Sequence, residues 1–223
     1  MRSLAIDAST GVLGLAVRKE EASAALSIRC AAKAAPVLLP SIQALMVQIG
    51  LEPAELQLVV CSVGPGSFTG IRIGLATAKG ISFGIPCPLV GVSSLDAFAY
   101  PYSGFDGDVF PVIDARKGRI YSGLYRGGER IGEYLDVTPA ELRERLDSSG
   151  RCLLAGPDAG EIRRLLWTAD EAAYRSTVSA APYTDPIALL DAGERKYARE
   201  GADPGGPLPL YLRKSEAEIA RGR

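Results

Sequence analysis

The hydrophobic pattern of this chain changes its period between residues 58 and 86. A short run rich in β-branched residues, Leu58 to Val63, is followed by the turn Gly64-Pro65-Gly66. Apolar residues at helical spacing then continue until Pro86. These features predict a strand, a glycine-rich turn and a helix. The turn precedes a helix N-terminus, so its free amides favour an anion or a hydrogen-bond acceptor from a partner.

The predicted helix carries small residues on one face. Gly70, Gly74 and Ala78 recur every four residues, although a glycine inside a helix costs about 1 kcal/mol relative to alanine. Such a stripe allows another backbone to approach closely. Two alternatives remain open: the helix packs tightly on its own sheet, or the stripe docks a helix from a second chain.

Flanking patterns give the other elements of the first half. Three short apolar runs predict an antiparallel meander of strands, and a helical stripe follows them with Pro40 in or near its first turn. A further strand and a helix follow the glycine-rich unit, so the order begins β-β-β-α-β-α-β. The predicted ranges are Ser3–Ile6, Val12–Arg18, Ala22–Arg29, Val37–Ile49, Leu58–Val63 and Pro88–Val92.

A stretch without periodicity, Pro101 to Gly107, predicts a boundary between a lobe of residues 1–103 and a lobe of residues 104–223. The second half restarts the same order of elements, and it ends in a longer helix from Asp185 to about Glu200 and an extended tail. We assign that helix and tail to the second lobe. A faint internal repeat supports two related lobes, because LAIDASTG and PVIDARKG align Asp7 with Asp114.

Composition narrows the function classes. The chain has 223 residues, 47% of them hydrophobic, and a formal net charge of −1, which argues against an autonomous nucleic-acid binder. There is no histidine, so Ser–His and Cys–His pairs, zinc motifs of the H-E-x-x-H type and His-ligated metals are excluded. We expect no metal site and a cytoplasmic protein, because no apolar run reaches membrane length and Asp7 interrupts any signal-peptide core.

Two turns are candidate nucleotide or anion contacts. An aspartate ends the first strand of each half, and such aspartates can hold Mg²⁺ beside a nucleotide or simply satisfy turn amides. The spacing Gly64-x-Gly66-x-x-x-Gly70 is one residue longer than the dinucleotide fingerprint, and the second turn has basic residues where a phosphate grip needs glycines, so an ATP site looks half-built. The candidates are Asp7, Ser9, Thr10, Gly64, Asp114, Arg116 and Lys117.

Five segments together resemble the TsaB (also called YeaZ) family over nearly the whole chain. The most specific is GPGSFTGIRIG, and the supporting segments are IDAST, GVSSLDA, DARKGRIY and PLYLR. The resemblance implies an α/β fold of the actin, Hsp70 and sugar-kinase (ASKHA) kind, with two lobes of the β-β-β-α-β-α type. Relatives often carry a histidine near the start of the first helix, where this chain has Ala31-Ala32-Lys33; that departure bears on local surface contacts only.

The resemblance also implies a partner. TsaB proteins are paralogues of the catalytic subunit TsaD and act with it and the ATPase TsaE to place a threonylcarbamoyl group on the adenosine beside the anticodon of ANN-decoding tRNAs. The resemblance implies that the complex uses ATP and that this chain itself requires no cofactor. Family members dock TsaD, or a second TsaB, through the first two helices. The implied interface residues are Gly66, Ser67, Phe68, Thr69, Gly70, Arg72, Ile73, Gly74, Thr77, Ala78, Ile42 and Leu45.

Three functions are therefore weighed. The first is a non-catalytic subunit that binds and activates TsaD and meets tRNA through the complex; the sequence leaves open whether this chain touches tRNA directly. The second is an independent ATP-binding phosphotransferase or ATPase of the same fold, suggested by Asp7 and Asp114. The third is a peptidase, a label that relatives have carried, although the sequence lacks the ligands of a zinc mechanism.

Overall fold

A computed structural model describes residues 1–30, 34–168, 176–179, 181 and 183–213. The first half contains strands β1 (Arg2–Asp7), β2 (Val12–Lys19), β3 (Ala22–Arg29), β4 (Leu58–Ser62) and β5 (Leu89–Val92), with helices α1 (Ala34–Gln48), α2 (Phe68–Gly84) and α3 (Ser94–Ala99). The second half contains strands β6 (Asp108–Arg116), β7 (Arg119–Arg126), β8 (Glu129–Val137), β9 (Cys152–Ala155) and β10 (Thr177–Val178), with helices α4 (Pro139–Ser148), α5 (Ala159–Leu166) and α6 (Pro186–Glu200).

The first sheet has the order β3-β2-β1-β4-β5. β1, β2 and β3 form the predicted antiparallel meander, with Ile6 opposite Leu15, and β1, β4 and β5 run parallel. Every residue of β4 and β5 is buried, as expected for parallel strands that are covered on both faces. Helices α1 and α2 cover one face and close the core around Leu38, Leu75 and Val59.

The second sheet repeats this topology, with the order β8-β7-β6-β9-β10. The central strand β6 pairs antiparallel with β7 and parallel with β9, as β1 does with β2 and β4. Helices α4 and α5 bury Leu142 and Ile162 against one face. Helix α3 of the first half packs on β6 from the other side, through Leu95 and Phe98 against Ile113. The duplicated lobe predicted from the repeat is therefore confirmed as a topology.

Helix α6 differs from its predicted place. We assigned it to the lobe of residues 104–223, but it packs against the first sheet, where Leu189 and Leu190 join a core cluster with Val60 and Val90. A side chain at Gly193 would lie 2.3 Å from the Cγ1 atom of Val60, so the helix approaches the sheet closely. The first sheet needs this cover because α1 and α2 occupy only one of its faces.

The start of α1 differs from prediction. It lies at Ala34 rather than Val37, so Pro40 falls in the second turn of the helix. The extended tail returns to the first lobe, where the Leu210 N–H donates to the Val63 carbonyl at 2.8 Å. Within the described ranges no helix is long and apolar enough to span a bilayer.

Candidate functional site

A buried polar network lies at the carboxyl ends of β1 and β4. Hydrogen bonds run from Ser62 to Ser94 (2.9 Å), from Ser94 to Ser9 (3.0 Å) and from Ser9 to the Asp7 carboxylate (2.6 Å). The Ser9 N–H also donates to Asp7, at 2.8 Å. All four side chains are at most 1% exposed. Each hydroxyl has one proton, so the donors must point in sequence toward the carboxylate, where such chains strengthen one another.

The glycine-rich loop closes over this network. The Ser67 N–H donates to the Ser9 carbonyl at 2.7 Å. A Cβ atom at Gly66 would lie 2.2 Å from that carbonyl oxygen, and one at Gly70 would lie 1.9 Å from the carbonyl oxygen of Ala8. Ser67 also caps α2, because its hydroxyl accepts from the Gly70 N–H. The loop therefore needs glycine in order to pack on the β1–β2 turn, and one free amide of α2 is already satisfied.

The small-residue stripe faces inward, so its interpretation as an outward docking face is wrong. Gly74 lies against Ala8, Ile6 and Cys61, which a Cβ atom would meet at 3.5–3.7 Å. Ala78 is fully buried in the core of the first lobe. The stripe allows α2 to approach β1 and β4 closely, which is the alternative that the sequence left open.

The second aspartate occupies a different kind of turn. Asp114 accepts from the Arg116 N–H at 2.8 Å and from its guanidinium at 3.0 Å. Arg116 and Lys117 have positive φ angles of 62° and 54°, so they form the hairpin between β6 and β7. The Arg116 side chain is 85% exposed. This turn satisfies its own aspartate and projects its basic residues outward.

Of the candidate nucleotide or anion contacts in the first lobe, only some lie together in the structure. Asp7 and Ser9 share the buried network, whereas the Thr10 hydroxyl accepts from the Val12 N–H in its own turn. Gly64 lies further along, where its carbonyl accepts from the Ser94 N–H. Within the described residues, no group of three His, Cys, Asp or Glu side chains is placed to hold a metal ion.

An apolar face formed by α1 and α2 is the most exposed hydrophobic surface of the first lobe. Phe83 is 90% exposed, Val47 73% and Leu39 57%. Between the helices lies a groove of about 610 Å³, lined by Leu39 and Val47 and by Ile81 and Ile85. Exposed apolar patches of this kind are typical of protein-binding surfaces.

The implied interface residues divide into three groups by exposure. Those that are exposed and remain predicted contacts are Gly66, Ser67, Phe68, Thr69 and Arg72. Gly70, Ile73 and Thr77 are half-buried. Ile42 and Leu45 are 4% and 5% exposed and belong to the core, so the structure contradicts them as surface contacts, as it does Gly74 and Ala78.

Sequence reasoning missed Leu39, Val47 and Phe83. A signal was present for α1, because Leu39 and Val47 are apolar and lie eight residues apart, off the stripe that Leu38, Ile42 and Leu45 define. The helical spacing could therefore have separated these exposed apolar residues from the stripe that packs on the helix's own sheet.

A cleft of about 710 Å³ separates α6 from the tip of the β7–β8 hairpin. On its floor the Tyr125 and Tyr134 hydroxyls both donate to the Asp96 carboxylate, the latter at 2.8 Å. Burial, reinforced by the Asp96 charge, raises the pKa of both tyrosines. At its mouth Arg195 and Arg199 pair with Glu129. These contacts join the two lobes.

Comparison with known proteins agrees with this architecture. A solved structure of a Pseudomonas aeruginosa protein, described as uncharacterized with similarity to peptidase YEAZ, has a TM-score of 0.80 and 26% identity over 95% of this chain and 99% of that one. YeaZ from Pseudomonas aeruginosa has a TM-score of 0.78 and 24% identity, with the same coverage of both chains. The fold is thus the two-lobe α/β fold of these YeaZ-like structures.

Sequence comparison defines the family within that class. The protein named tRNA threonylcarbamoyladenosine biosynthesis protein TsaB is 33% identical in Bacillus subtilis (strain 168), over 98% of this chain and 96% of that protein. The Escherichia coli (strain K12) protein of the same name is 31% identical over 97% and 96%. Residues 29–184 match the family model described as TsaD, tRNA N6-adenosine threonylcarbamoyltransferase. The chain belongs to the TsaB (YeaZ) family.

Proposed function

We propose that this chain is a non-catalytic subunit of tRNA threonylcarbamoyladenosine biosynthesis that binds and activates TsaD. The observation that carries the proposal is the apolar α1–α2 face in a member of the TsaB family. Val47 and Leu39 are each more than half exposed and line an open groove. Phe83 is exposed further along α2, in a separate depression that it lines with Gly80 and Leu89. A helical partner surface that covers both helices would bury these side chains. In this proposal the ATPase TsaE and the tRNA join through TsaD, ATP is used by the assembled complex, and the complex is cytoplasmic.

The local geometry of Asp7 supports the non-catalytic part of the proposal. Its carboxylate accepts two hydrogen bonds from Ser9, and Gly66 and Gly70 pack on the turn that holds it. A catalytic aspartate needs access to a substrate or a metal-bound water, whereas Asp7 is 1% exposed. We expect the isolated chain to show no ATP turnover above that of Asp7→Ala; turnover that Asp7→Ala abolishes would favour the independent ATPase.

A charge on the α1–α2 face tests the docking surface. Phe83→Asp places a carboxylate on the most exposed apolar side chain of α2, and an aromatic residue buried at an interface often contributes 2 kcal/mol or more to binding, about 30-fold in affinity. We expect titration calorimetry with TsaD to show at least that loss. Leu165→Asp is the matched control, because Leu165 is 64% exposed on α5 of the other lobe.

A modification assay tests activation separately from binding. Purified TsaD, TsaE, ATP, substrate and tRNA are assayed with and without this chain, and then with Phe83→Asp at concentrations above and below its new dissociation constant. We expect the rate to follow the fraction of TsaD bound. An unchanged rate without this chain contradicts activation, even if the binding measurement succeeds.

A further inference from the structure

Strand β3 is a sheet edge to which no further strand pairs within the part of the chain that the structure describes. The two sheets end in four edge strands, β3, β5, β8 and β10. The tail covers β5. There the Asp203 carboxylate accepts from the Gly91 N–H, and the Asp203 backbone N–H donates to the Leu89 carbonyl. β10 has two residues, and β8 carries four charged side chains. β3 reads ASAALSIR over eight residues, with one charge at its end and no proline. Long uncharged edges of this kind accept a further strand.

The hydrogen-bonding register of the β2–β3 hairpin shows which backbone groups of β3 are free to bond a further strand. Lys19 pairs with Ala22 across a two-residue loop, and the Glu20 N–H points the other way, to the Met1 carbonyl. Backbone direction alternates along an antiparallel strand, so every second residue of β3 turns its N–H and C=O away from β2. These residues are Ser23, Ala25, Ser27 and Arg29, and all four are exposed.

The exposed edge is complementary to itself. Antiparallel pairing of two copies about a two-fold axis at Ala25 places Ser23 opposite the second copy's Ser27, so only small side chains meet at the centre. The same register places Glu21 opposite Arg29 of the other copy, twice by symmetry. Both side chains are exposed, and neither has an ion pair within the part of the chain that the structure describes. Opposite charges across a strand pair stabilise it.

We propose that β3 is a self-association edge through which two copies join into one continuous ten-stranded sheet. A shallow groove of about 540 Å³ beside the strand, lined by Ala25, Ser27, Tyr183 and Pro186, extends the contact beyond the backbone ladder. A strand of eight residues is about 27 Å long, so the contact is smaller than the roughly 800 Å² per partner of a stable complex. The dimer is therefore weak and depends on protein concentration. None of its residues belongs to the α1–α2 face.

A charge swap tests this register. Glu21→Arg and Arg29→Glu each place two pairs of like charges in opposition, and we expect each to weaken dimerisation by about tenfold in sedimentation equilibrium at low salt. The double variant restores opposite charges in reversed order, so it should recover the affinity of the original chain. Failure of the double variant to recover it overturns the proposed register.

A backbone substitution tests the ladder itself. Ala25→Pro removes the N–H at the two-fold axis without removing a bond to β2, and we expect it to leave a monomer with an unchanged circular dichroism spectrum. All measurements are repeated in the Phe83→Asp background, so that association through α1–α2 is not counted. A chain that stays monomeric up to about millimolar concentration, or a dimer that persists with Ala25→Pro, overturns the proposal; the charge swap decides it if Ala25→Pro does not fold.

Discussion

Tyr211 stacks on Phe68 with ring centroids 5.3 Å apart and planes inclined by 28°. The guanidinium of Arg72 lies 3.7 Å from the centroid of the same phenylalanine, and its Nε donates to the Tyr211 hydroxyl at 3.1 Å. Two residues further on, Arg213 reaches Asp136 of β8 at 3.5 Å. The tail thus connects the start of α2 with the second lobe.

This connection predicts a graded effect at Tyr211. Tyr211→Ala removes the stacking and the hydrogen bond, and we expect a loss of about 1–2 kcal/mol in the free energy of unfolding. Tyr211→Phe keeps the stacking and should lose about 0.5 kcal/mol or less, because the bond it removes is partly solvated. Urea unfolding followed by circular dichroism measures both. Equal losses for the two variants would show that stacking contributes nothing.

Replacing either of two glycines of α2 by alanine should change the free energy of unfolding, but in opposite directions. A Cβ atom at Gly70 would overlap the Ala8 carbonyl, whereas Gly80 has no atom within 4 Å of that position. We expect Gly70→Ala to cost about 3 kcal/mol or more, through displacement of the helix. Gly80→Ala should stabilise by about 0.5–1 kcal/mol through helix propensity. Thermal unfolding of the matched pair checks this, and similar shifts for both would contradict the close approach of α2.

Asp96 should be a stabilising interlobe contact. Asp96→Ala leaves the hydroxyls of Tyr125 and Tyr134 without their acceptor in a half-buried to buried setting, and we expect a loss of about 2–4 kcal/mol. Tyr134→Phe removes one donor only and should cost about 1 kcal/mol. Denaturant titration compares the two. If Asp96→Ala lost no more unfolding free energy than Tyr134→Phe, the Asp96 carboxylate would not be stabilised by both tyrosines.

Asp108 should contribute to stability in a pH-dependent way. Its two hydrogen bonds from Arg126, at 2.7 and 3.0 Å, lower the pKa of this carboxyl below its usual range. A lowered folded-state pKa stabilises the protein above the unfolded pKa of about 3.9, and this contribution disappears as the pH falls through the folded value. We therefore expect Asp108→Asn to flatten the acid limb of the stability curve. Asp106→Asn, an exposed neighbour, is the control and should leave the limb unchanged.

Local sequence patterns were sufficient to predict the secondary-structure elements and the internal repeat. The β-branched run before Gly64, the glycine turn and the stop at Pro86 are short-range features, and short-range sterics decide them. The two aspartates at matching strand ends predicted a duplicated topology, which the sheet orders confirm. The resemblance to TsaB supplied the family, which the comparisons show.

The direction in which a surface faces was decided by the tertiary structure. A stripe of small residues permits close approach, but nothing in Gly70, Gly74 and Ala78 states whether the approaching backbone is β1 or a partner. The same ambiguity placed α6 in the wrong lobe, because its apolar face fits any sheet with an uncovered side.

The sequence by itself determined the strands, the glycine turn, the two-lobe repeat and the family. Only the fold decided that the small stripe of α2 is internal, that Phe83 and Val47 are exposed, and that β3 is an edge strand of the first sheet. The physical reason is that secondary structure depends on neighbours within a few residues. Exposure depends on which distant segments cover each face, and those contacts form only in the packed chain.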